Sequence, residues 1–207
     1  MSESKKSLSL NSDSRCAVIV AHPDDEALWA GGTILSHPEA QWTIIALCRE
    51  FDLNRAPRFF EACEVFGAEG LMADLDDGPE QTPLEDHEVQ KTILQLLPEH
   101  HYDLIITHGF WGEYTRHLRH EEVSRAVMAL RRTQRLHAHQ VLRFAYDDGD
   151  GQHLPQADER ADFLIHLSDA VWEKKRKLIT QTYGFSQDSW EARTTPQLEA
   201  FWDFGTC

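Results

Sequence analysis

An apolar run at residues 16–20 leads directly into the sequence Ala-His-Pro-Asp-Asp-Glu at residues 21–26, and a stretch with helical spacing follows. This order predicts a buried strand, a short connection and a helix, with His22 and Asp25 at the junction of the two elements. In an open α/β sheet, ligands bind at the edge where strands are followed by helices. An imidazole and a carboxylate three residues apart on such a rigid corner are the beginning of a metal site.

The rest of the chain alternates between apolar runs and stretches with helical spacing. We predict strands at residues 16–21, 42–48, 71–75, 103–107 and 140–146. We predict helices at residues 26–36, 55–66, 84–98, 117–132 and 168–182, and a short closing helix near 196–203. This alternation predicts βαβ units, and therefore an α/β fold with a mainly parallel sheet flanked by helices.

The length of 207 residues fits one domain of ordinary size. Residues 1–14 are polar and Ser-rich and lack the apolar core of a signal peptide. We therefore predict a disordered N-terminal segment at residues 1–14 and a single α/β domain at residues 15–207. No apolar run approaches the roughly 20 residues that a membrane span needs.

Charge and cysteine content restrict the partners and the location. The formal net charge of -15 argues against a nucleic-acid binder and a polybasic membrane surface, because both need a positive potential. An anionic small substrate held by one or two arginines stays compatible with this charge. The cysteines are scattered, which is typical of reduced thiols in a cytoplasmic protein: Cys16, Cys48, Cys63 and Cys207. The sequence leaves open whether the protein forms a homo-oligomer.

A second group of chemically active residues follows the predicted strand at 103–107. Residues 107–120 read Thr-His-Gly-Phe-Trp-Gly-Glu-Tyr-Thr-Arg-His-Leu-Arg-His. The carboxyl ends of parallel strands share one edge of the sheet, so this segment can face His22. His117 and His120 are three residues apart at the start of a helix, which places both rings on one face. His22, Asp25 and His120 can then form a three-ligand set with an open position, as in catalytic zinc sites.

Such a metal lowers the pKa of its bound water to about 7 and polarises a carbonyl group. Asp24, which is next to a ligand but is not one itself, is the candidate acceptor for the proton of that water. Less specific interpretations exist for each motif alone. The acidic corner can simply cap a helix, and two histidines at helical spacing are often surface residues. Two such motifs at corresponding positions on one sheet edge favour the metal site.

These motifs resemble those of the LmbE/PIG-L family of zinc-dependent N-deacetylases. The sequence at residues 21–26, after a first strand, is similar to the leading motif of the family. Gly112-Glu113-Tyr114, followed by His117 and His120, is similar to the second motif of the family. The resemblance runs from about residue 16 to about residue 190 and includes, more loosely, residues 183–187. It implies a Rossmann-like fold and hydrolysis of an acetamide, usually on a sugar of the N-acetylglucosamine type.

By this resemblance, His22, Asp25 and His120 are the ligands of Zn²⁺, and other divalent metals such as Fe²⁺ are alternatives. Asp24 is the general base. The substrate is then a small N-acylated amino sugar or glycoside.

The resemblance also assigns roles around the metal. His117 is the cationic or acid partner of the tetrahedral intermediate and of the leaving amine, and Tyr114 contacts the oxyanion. One extra residue separates these two side chains compared with the commonest family pattern. Arg55 and Asp77 are expected to contact the substrate. Trp111 lies inside the loop of the second motif, and we expect it to line the substrate pocket.

Two other function classes remain open. The set of two histidines and one carboxylate also fits an iron-dependent oxygenase. Those sites usually lie on β-sandwich barrels, which the βαβ pattern argues against. The chain could also be a non-catalytic or differently reacting metal- or sugar-binding domain. Asp24 favours catalysis, because a binding protein has no use for a base beside the metal. We therefore expect a zinc-dependent hydrolase that removes an N-acetyl or similar N-acyl group.

Overall fold

The computed structural model describes residues 8–114 and 116–206. Five strands run parallel in the main sheet: β1 (Arg15–Val20), β2 (Gln41–Ala46), β3 (Glu69–Met72), β4 (His101–Thr107) and β5 (His137–Phe144). A hairpin of β6 (Tyr146–Asp147) and β7 (Gln156–Ala157) stands apart, and β8 (Phe163–His166) and β9 (Leu198–Thr206) extend the main sheet. The order of strands is β3-β2-β1-β4-β5-β9-β8, and β9 is antiparallel to both of its neighbours.

Helices cover both faces of this sheet. They are α1 (Asp25–Ser36), α2 (Arg55–Phe66), α3 (Asp86–Leu96), α4 (Leu118–Arg132), α5 (Asp169–Lys177) and α6 (Trp190–Thr194), with a π-helix at Leu178–Thr182. The apolar residues of α1 and α2 pack on one face, and those of α3 and α4 pack on the other. The predicted α/β fold with a mainly parallel sheet flanked by helices is therefore confirmed.

The first strand explains why the chain begins with a continuous apolar run. Val18 and Val20 pack under α1 and α2, while Ala17 and Ile19 pack under α3 and α4. A strand that is buried on both faces has no polar alternation.

The order of the strands creates a crevice beside β1. The chain runs from β1 outward through β2 to β3, and then returns to the opposite side of β1 to form β4. β1 and β4 pair in register from Cys16 with Leu104 to Ile19 with Thr107. The carboxyl ends of these two strands therefore lie side by side at the point where the strand order reverses, which is where open α/β sheets bind ligands.

The predicted closing helix at 196–203 is wrong, because residues Leu198–Thr206 form β9. This segment inserts between β5 and β8 and pairs with both, so its backbone hydrogen bonds are made across the sheet. Tertiary pairing here overrides local propensity. Strand β8, the hairpin of β6 and β7, and α6 were also not predicted.

Part of the predicted N-terminal segment is described. Leu8 and Leu10 are partly buried against the core, whereas residues 1–7 lie outside the described residues. Cys16, Cys48 and Cys63 are buried and unpaired, and Cys207 lies outside the described residues. None of the helices described here is long and apolar enough to cross a membrane.

A buried ion pair attaches β9 to the helices above it. Lys175 Nζ donates to Glu199 Oε1 at 2.6 Å, and both side chains are fully buried. The same carboxylate accepts hydrogen bonds from the backbone N–H groups of Gly32 and Thr33, at 2.8 and 2.7 Å. A Cβ atom on Gly32 would lie 2.2 Å from the side chain of Leu167, so a larger residue here would require Leu167 to move.

We predict that Lys175→Met destabilises the fold by about 3–5 kcal/mol, because it leaves the carboxylate of Glu199 buried without its cation. The free energy of unfolding in urea measures this. Lys174→Met, at the exposed neighbouring position, is the matched control and should change it by less than about 0.5 kcal/mol. The double variant Lys175→Met with Glu199→Gln should recover part of the loss. A loss below about 1 kcal/mol in the single variant would contradict the structural role of this pair.

Candidate metal centre

His22 and Asp25 come together in the tight connection between β1 and α1. The backbone N–H of His22 donates to Asp25 Oδ2 at 3.0 Å, and His22 Nδ1 lies 3.2 Å from the same oxygen. Asp25 is the first residue of α1 and is 4% exposed. Its other oxygen accepts a hydrogen bond from Trp29 Nε1 at 3.3 Å. Both oxygens of the carboxylate are therefore fixed.

His120 reaches the same point from the first turn of α4. Its Nε2 lies 3.2 Å from His22 Nδ1 and 3.3 Å from Asp25 Oδ2. These three atoms form what we call the donor triangle, with sides of 3.2, 3.2 and 3.3 Å. The structure thus brings together the three residues that the sequence predicts as metal ligands.

Two carboxylates determine which nitrogen of each imidazole faces the triangle as an acceptor. Asp77 Oδ1 accepts a hydrogen bond from His22 Nε2 at 3.2 Å, and Glu113 Oε2 accepts one from His120 Nδ1 at 2.7 Å. This hydrogen-bond network assigns the proton of each ring to the nitrogen outside the triangle. The atoms inside it then present lone pairs to one another, and either a proton or a metal ion between them would satisfy this arrangement.

The electrostatics of the donor triangle also favour a positive charge there. Burial acts to lower the pKa of His120, but Asp25 and Glu113 outweigh it and raise this pKa to about 10. The pKa of His22 is also raised against the effect of burial, by hydrogen bonds to Asp25 and Asp77. Positive charge is therefore favoured at this buried point.

A divalent metal ion fits these donors. Bonds of about 2.0–2.1 Å to a tetrahedral zinc ion separate neighbouring ligand atoms by about 3.3–3.4 Å. The sides of the donor triangle, 3.2 to 3.3 Å, are close to this separation. Two imidazoles and one carboxylate are also a donor set found in catalytic zinc sites.

Two further histidines border the triangle and offer alternative donor sets. Donor atoms within 4.8 Å of one another also occur in two overlapping groups: His22, His117 and His120, and Asp25, His108 and His120. His108 is a poor ligand, because its Nε2 accepts from the backbone N–H of Ala21 at 2.9 Å and its Nδ1 donates to Glu113 at 3.0 Å. His117 differs, since its buried Nδ1 has no hydrogen-bond partner among the described residues. It remains available to a ligand or substrate.

Asp24 lies beside the donor triangle in a strained backbone conformation, with φ of 108°. Its backbone N–H donates to Glu26 Oε2 at 3.0 Å, and Glu26 Oε1 accepts from the hydroxyl of Tyr183 at 2.5 Å. Asp24 Oδ2 accepts from Arg55 Nη1 at 3.1 Å. Burial and the charge of Asp25 raise the pKa of Asp24 well above its ordinary value, although Arg55 acts to lower it. A buried network therefore holds this carboxylate in place.

A cavity of about 170 Å³, which we call the catalytic cavity, opens next to the triangle. Most of the residues predicted from the sequence line it: His22, Asp24, Asp25, Arg55, Tyr114 and His117. His120 is fully buried behind them. The ring of His117 lies 4.6 Å from that of His22 and 4.6 Å from that of His120, between centroids. Burial and these two imidazoles lower the pKa of His117 to about 3, so its ring is neutral.

Two predicted substrate residues lie outside the catalytic cavity. The oxygens of Asp77 bind protein groups: Oδ1 contacts His22, and Oδ2 accepts from Arg49 Nε and Nη2 at 3.0 and 2.6 Å. Trp111 is 69% exposed and lines a different cavity. The structure therefore places Asp77 where it orients His22, and Trp111 at some remove from the triangle.

The segment that carries Asp77 is fastened by the residue before His120. Arg119 is 1% exposed, and its Nε donates to the carbonyl oxygen of Asp76 at 2.5 Å. Its Nη2 donates to the carbonyl oxygen of Thr82 at 2.7 Å. The first turn of α4 thus supplies His120 to the donor triangle. Through Arg119 it also fixes the loop whose Asp77 orients His22.

Three residues of the site were not identified from the sequence. Glu113 stands inside the second motif, seven residues before His120, and an acidic residue among small and aromatic ones is the signal that could have found it. Arg49 follows β2 at the same edge of the sheet and lines the catalytic cavity. Tyr183 lies in the segment at residues 183–187 that loosely resembles the family, but its contact with Glu26 could not be predicted because the two residues are 157 positions apart in the chain.

Comparison with known protein families gives one match. The family model described as PIG-L, GlcNAc-PI de-N-acetylase, matches residues 17–131. This range contains all three members of the donor triangle and Asp24. A comparison with curated protein sequences gives no significant match.

Solved structures with the same fold have low sequence identity. GalB, the 4-carboxy-2-hydroxymuconate hydratase from Pseudomonas putida KT2440, aligns with a TM-score of 0.69 and 16% identity, over 94% of this chain and 98% of that one. The N,N'-diacetylchitobiose deacetylase from Pyrococcus horikoshii aligns with a TM-score of 0.69 and 15% identity, over 92% and 84%. The zinc-inhibited form of teicoplanin deacetylase Orf2 aligns with a TM-score of 0.63 and 12% identity, over 91% and 97%. At these identities the likeness is one of fold.

We predict that Glu113→Gln lowers the affinity for a divalent metal by about 10- to 100-fold, because the amide no longer holds the tautomer of His120. Competition with a fluorescent chelator measures the Kd for zinc. Glu88→Gln, at an exposed position on α3, is the control and should leave the Kd unchanged. Equal zinc affinity in the Glu113 variant and the parent would contradict the role of this carboxylate.

Proposed function

We propose, since this chain belongs to the PIG-L family of GlcNAc-PI de-N-acetylases, that it is a metal-dependent hydrolase. It removes an N-acetyl or similar N-acyl group from a small amino sugar or glycoside. The observation that carries this proposal is the position of Asp24, a carboxylate in the same cavity as the donor triangle that is not part of it. A protein that only binds a metal has no use for this residue. Two of the structural neighbours are deacetylases by name, which supports the same reaction.

We assign Zn²⁺ to the donor triangle, with His22 Nδ1, Asp25 Oδ2 and His120 Nε2 as the ligand atoms. Another divalent ion such as Fe²⁺ would suit the same donors. When it is bound, the ion activates a water molecule and polarises the carbonyl of the scissile amide.

Asp24 accepts the proton that the attacking water loses. Arg55 donates a hydrogen bond to one carboxylate oxygen of Asp24 and orients it. Glu26 accepts a hydrogen bond from the backbone N–H of Asp24 and stabilises its strained conformation. The direction of the carboxylate is therefore set by the backbone of the junction as well as by a side-chain contact. Such preorganisation keeps the base in one geometry before the substrate arrives.

The other side of the catalytic cavity faces the carbonyl oxygen and the leaving nitrogen. We assign His117 and Tyr114 to the negative charge that develops on the oxygen. Burial raises the pKa of Tyr114, which keeps its hydroxyl protonated and able to donate a hydrogen bond. As the C–N bond breaks, the amine nitrogen takes up the proton that Asp24 accepted from the water, while the neutral ring of His117, whose Nδ1 has no partner among the described residues, contacts the oxygen. The products are a carboxylate, acetate for an acetyl group, and a free amine.

The substrate contacts follow from the walls of the catalytic cavity. Arg55 lines it and stacks on Phe185, with its guanidinium carbon 4.4 Å from the ring centroid. Arg49 and Trp190 line it as well. We further propose that the protein acts in the cytoplasm, where its scattered cysteines stay reduced.

The test is an acetate-release assay on N-acetylglucosamine, N,N'-diacetylchitobiose and an N-acetylglucosaminyl glycoside. We expect release from at least one of them, loss of release with a chelator, and recovery when zinc is added back. Release that resists the chelator would contradict a metal-dependent mechanism. Because a hydratase shares this fold, no release together with water addition to an unsaturated acid would replace the proposal. Oxygen consumption would indicate the iron oxygenase class instead.

We predict that Asp24→Asn keeps its zinc content but lowers turnover by about 100-fold or more, as loss of a general base does. His120→Ala should show the reverse pattern, with zinc lost and activity lost with it. Metal analysis and acetate release on the same samples separate the two. Asp74→Asn, at an exposed position, is the matched control for Asp24 and should behave as the parent. Full turnover in Asp24→Asn would remove this residue from the mechanism.

A further inference from the structure

Arg143 is a buried cation that the proposed reaction does not use. It lies near the carboxyl end of β5, where it is paired with Thr107 of β4 and with Trp202 of β9. The residue is only 6% exposed. A charged side chain this deeply buried is normally paired with an opposite charge.

Among the residues that the structure describes, Arg143 has no such partner. Its guanidinium makes no hydrogen bond or ion pair with any residue that the structure describes, and its Nε is fully buried. Its contacts are with aromatic rings: the guanidinium carbon lies 3.2 Å from the ring centroid of Phe204 and 5.6 Å from that of Phe110. Burial alone lowers the pKa of Arg143 to about 10. The Nε–H donor of the guanidinium therefore remains unsatisfied at a cost in free energy.

This side chain lines a cavity of about 620 Å³, which we call the Arg143 cavity. Seven aromatic side chains line it: Phe110, Trp111, Tyr114, Phe144, Tyr146, Trp202 and Phe204. Tyr114 lines the catalytic cavity too, so the two cavities are neighbours on either side of this residue.

The other arginines in the Arg143 cavity are already neutralised. Arg116 forms two hydrogen bonds to Glu121, both of 3.0 Å, and Arg160 forms two to Asp158, of 3.0 and 2.7 Å. Arg143 is thus the one arginine of this cavity without a carboxylate among the described residues.

We propose that the Arg143 cavity binds a singly charged acidic group of a ligand, in the form of a carboxylate. A planar guanidinium whose N–H groups are unpaired matches a carboxylate in a bidentate pair. The remaining wall carries further acidic residues, namely Asp147, Asp148 and Asp150. These repel every anion, but they repel a doubly charged phosphate monoester more strongly than a singly charged carboxylate.

That the carboxylate bound by Arg143 belongs to the substrate rests on the proposed function. That the Arg143 cavity is an acid site, meaning that it binds a carboxylate, does not rest on it. The acyl group enters the catalytic cavity, and the far side of the same molecule reaches past Tyr114 to Arg143. The substrate class is then an N-acylated amino sugar that carries a carboxylate. The aromatic walls suit the apolar faces of a sugar ring or of an attached group.

The test compares equilibrium binding of deacylated sugars, which the proposed reaction cannot turn over. Glucosamine and muramic acid differ by a lactyl group with its carboxylate, and glucosamine 6-phosphate carries a phosphate instead. We expect the zinc-loaded protein to bind muramic acid about tenfold or more tightly than glucosamine, as a charge-assisted pair provides. Arg143→Met should abolish this preference and leave glucosamine binding unchanged. Arg160→Met, in the same cavity but with its charge paired, is the matched control and should retain the preference.

Several results would overturn the inference. These are the absence of any preference in the parent protein, an equal loss for both sugars in Arg143→Met, and a larger gain for the phosphate than for the carboxylate. Arg143→Met should also unfold in urea at a midpoint no lower than that of the parent, since it removes an unpaired buried charge. A lower midpoint would show that the contact with Phe204 is structural.

Kinetics on the acetylated forms separate this inference from the proposed function. A lower KM for N-acetylmuramic acid than for N-acetylglucosamine, lost in Arg143→Met, supports both. Retained binding preference without acetate release would overturn the reaction and leave the acid site standing. Acetate release without any binding preference for muramic acid would support the reaction and overturn the acid site.

Discussion

The carboxylate of Glu113 joins the two halves of the candidate metal centre. It accepts hydrogen bonds from the backbone N–H of Gly109 and from the rings of His108 and His120. His108 in turn accepts from the backbone N–H of Ala21, at the end of β1. A continuous chain of hydrogen bonds therefore runs from β1 through the loop after β4 to α4. Without it, the two segments would share a sheet edge but would have no fixed distance between them.

Because this hydrogen-bond network is buried, an unpaired charge within it carries a high cost in free energy. Asp25, Glu113 and His120 are each less than 5% exposed, so an unmatched charge among them is costly. Each ring nitrogen that faces away from the donor triangle has a carboxylate partner. The two ring nitrogens that face inward contact each other and Asp25 Oδ2, which also accepts from the backbone N–H of His22. A positive charge at its centre, either a proton on His120 or a metal ion, stabilises this arrangement.

Local sequence patterns were sufficient for the parallel part of the sheet and for the donors. The run at residues 16–20 could only be a strand buried on both faces, and His22 and Asp25 follow it within five residues. His120 was accessible to the same reasoning because β1 and β4 are neighbours in a βαβ arrangement. Strand β9 was not accessible, since its pairing partners and the cation that neutralises Glu199 come from distant parts of the chain. The sequence singled out Asp77 as a substrate contact. Its hydrogen bond to His22 could not be predicted, because the two residues are 55 positions apart in the chain.

The hydrogen bond from His22 to Asp77 has a thermodynamic consequence. Asp77 lies between β3 and α3 on a segment without helix or strand, and segments of this kind open locally at low free energy. Opening would release His22 from its orientation, so ion affinity and loop closure are linked. By reciprocity, an ion bound to His22 must strengthen the closed state of residues 73–85, including their protection from hydrogen exchange. An ion at the candidate metal centre would therefore also stabilise a loop that contains no helix or strand of its own.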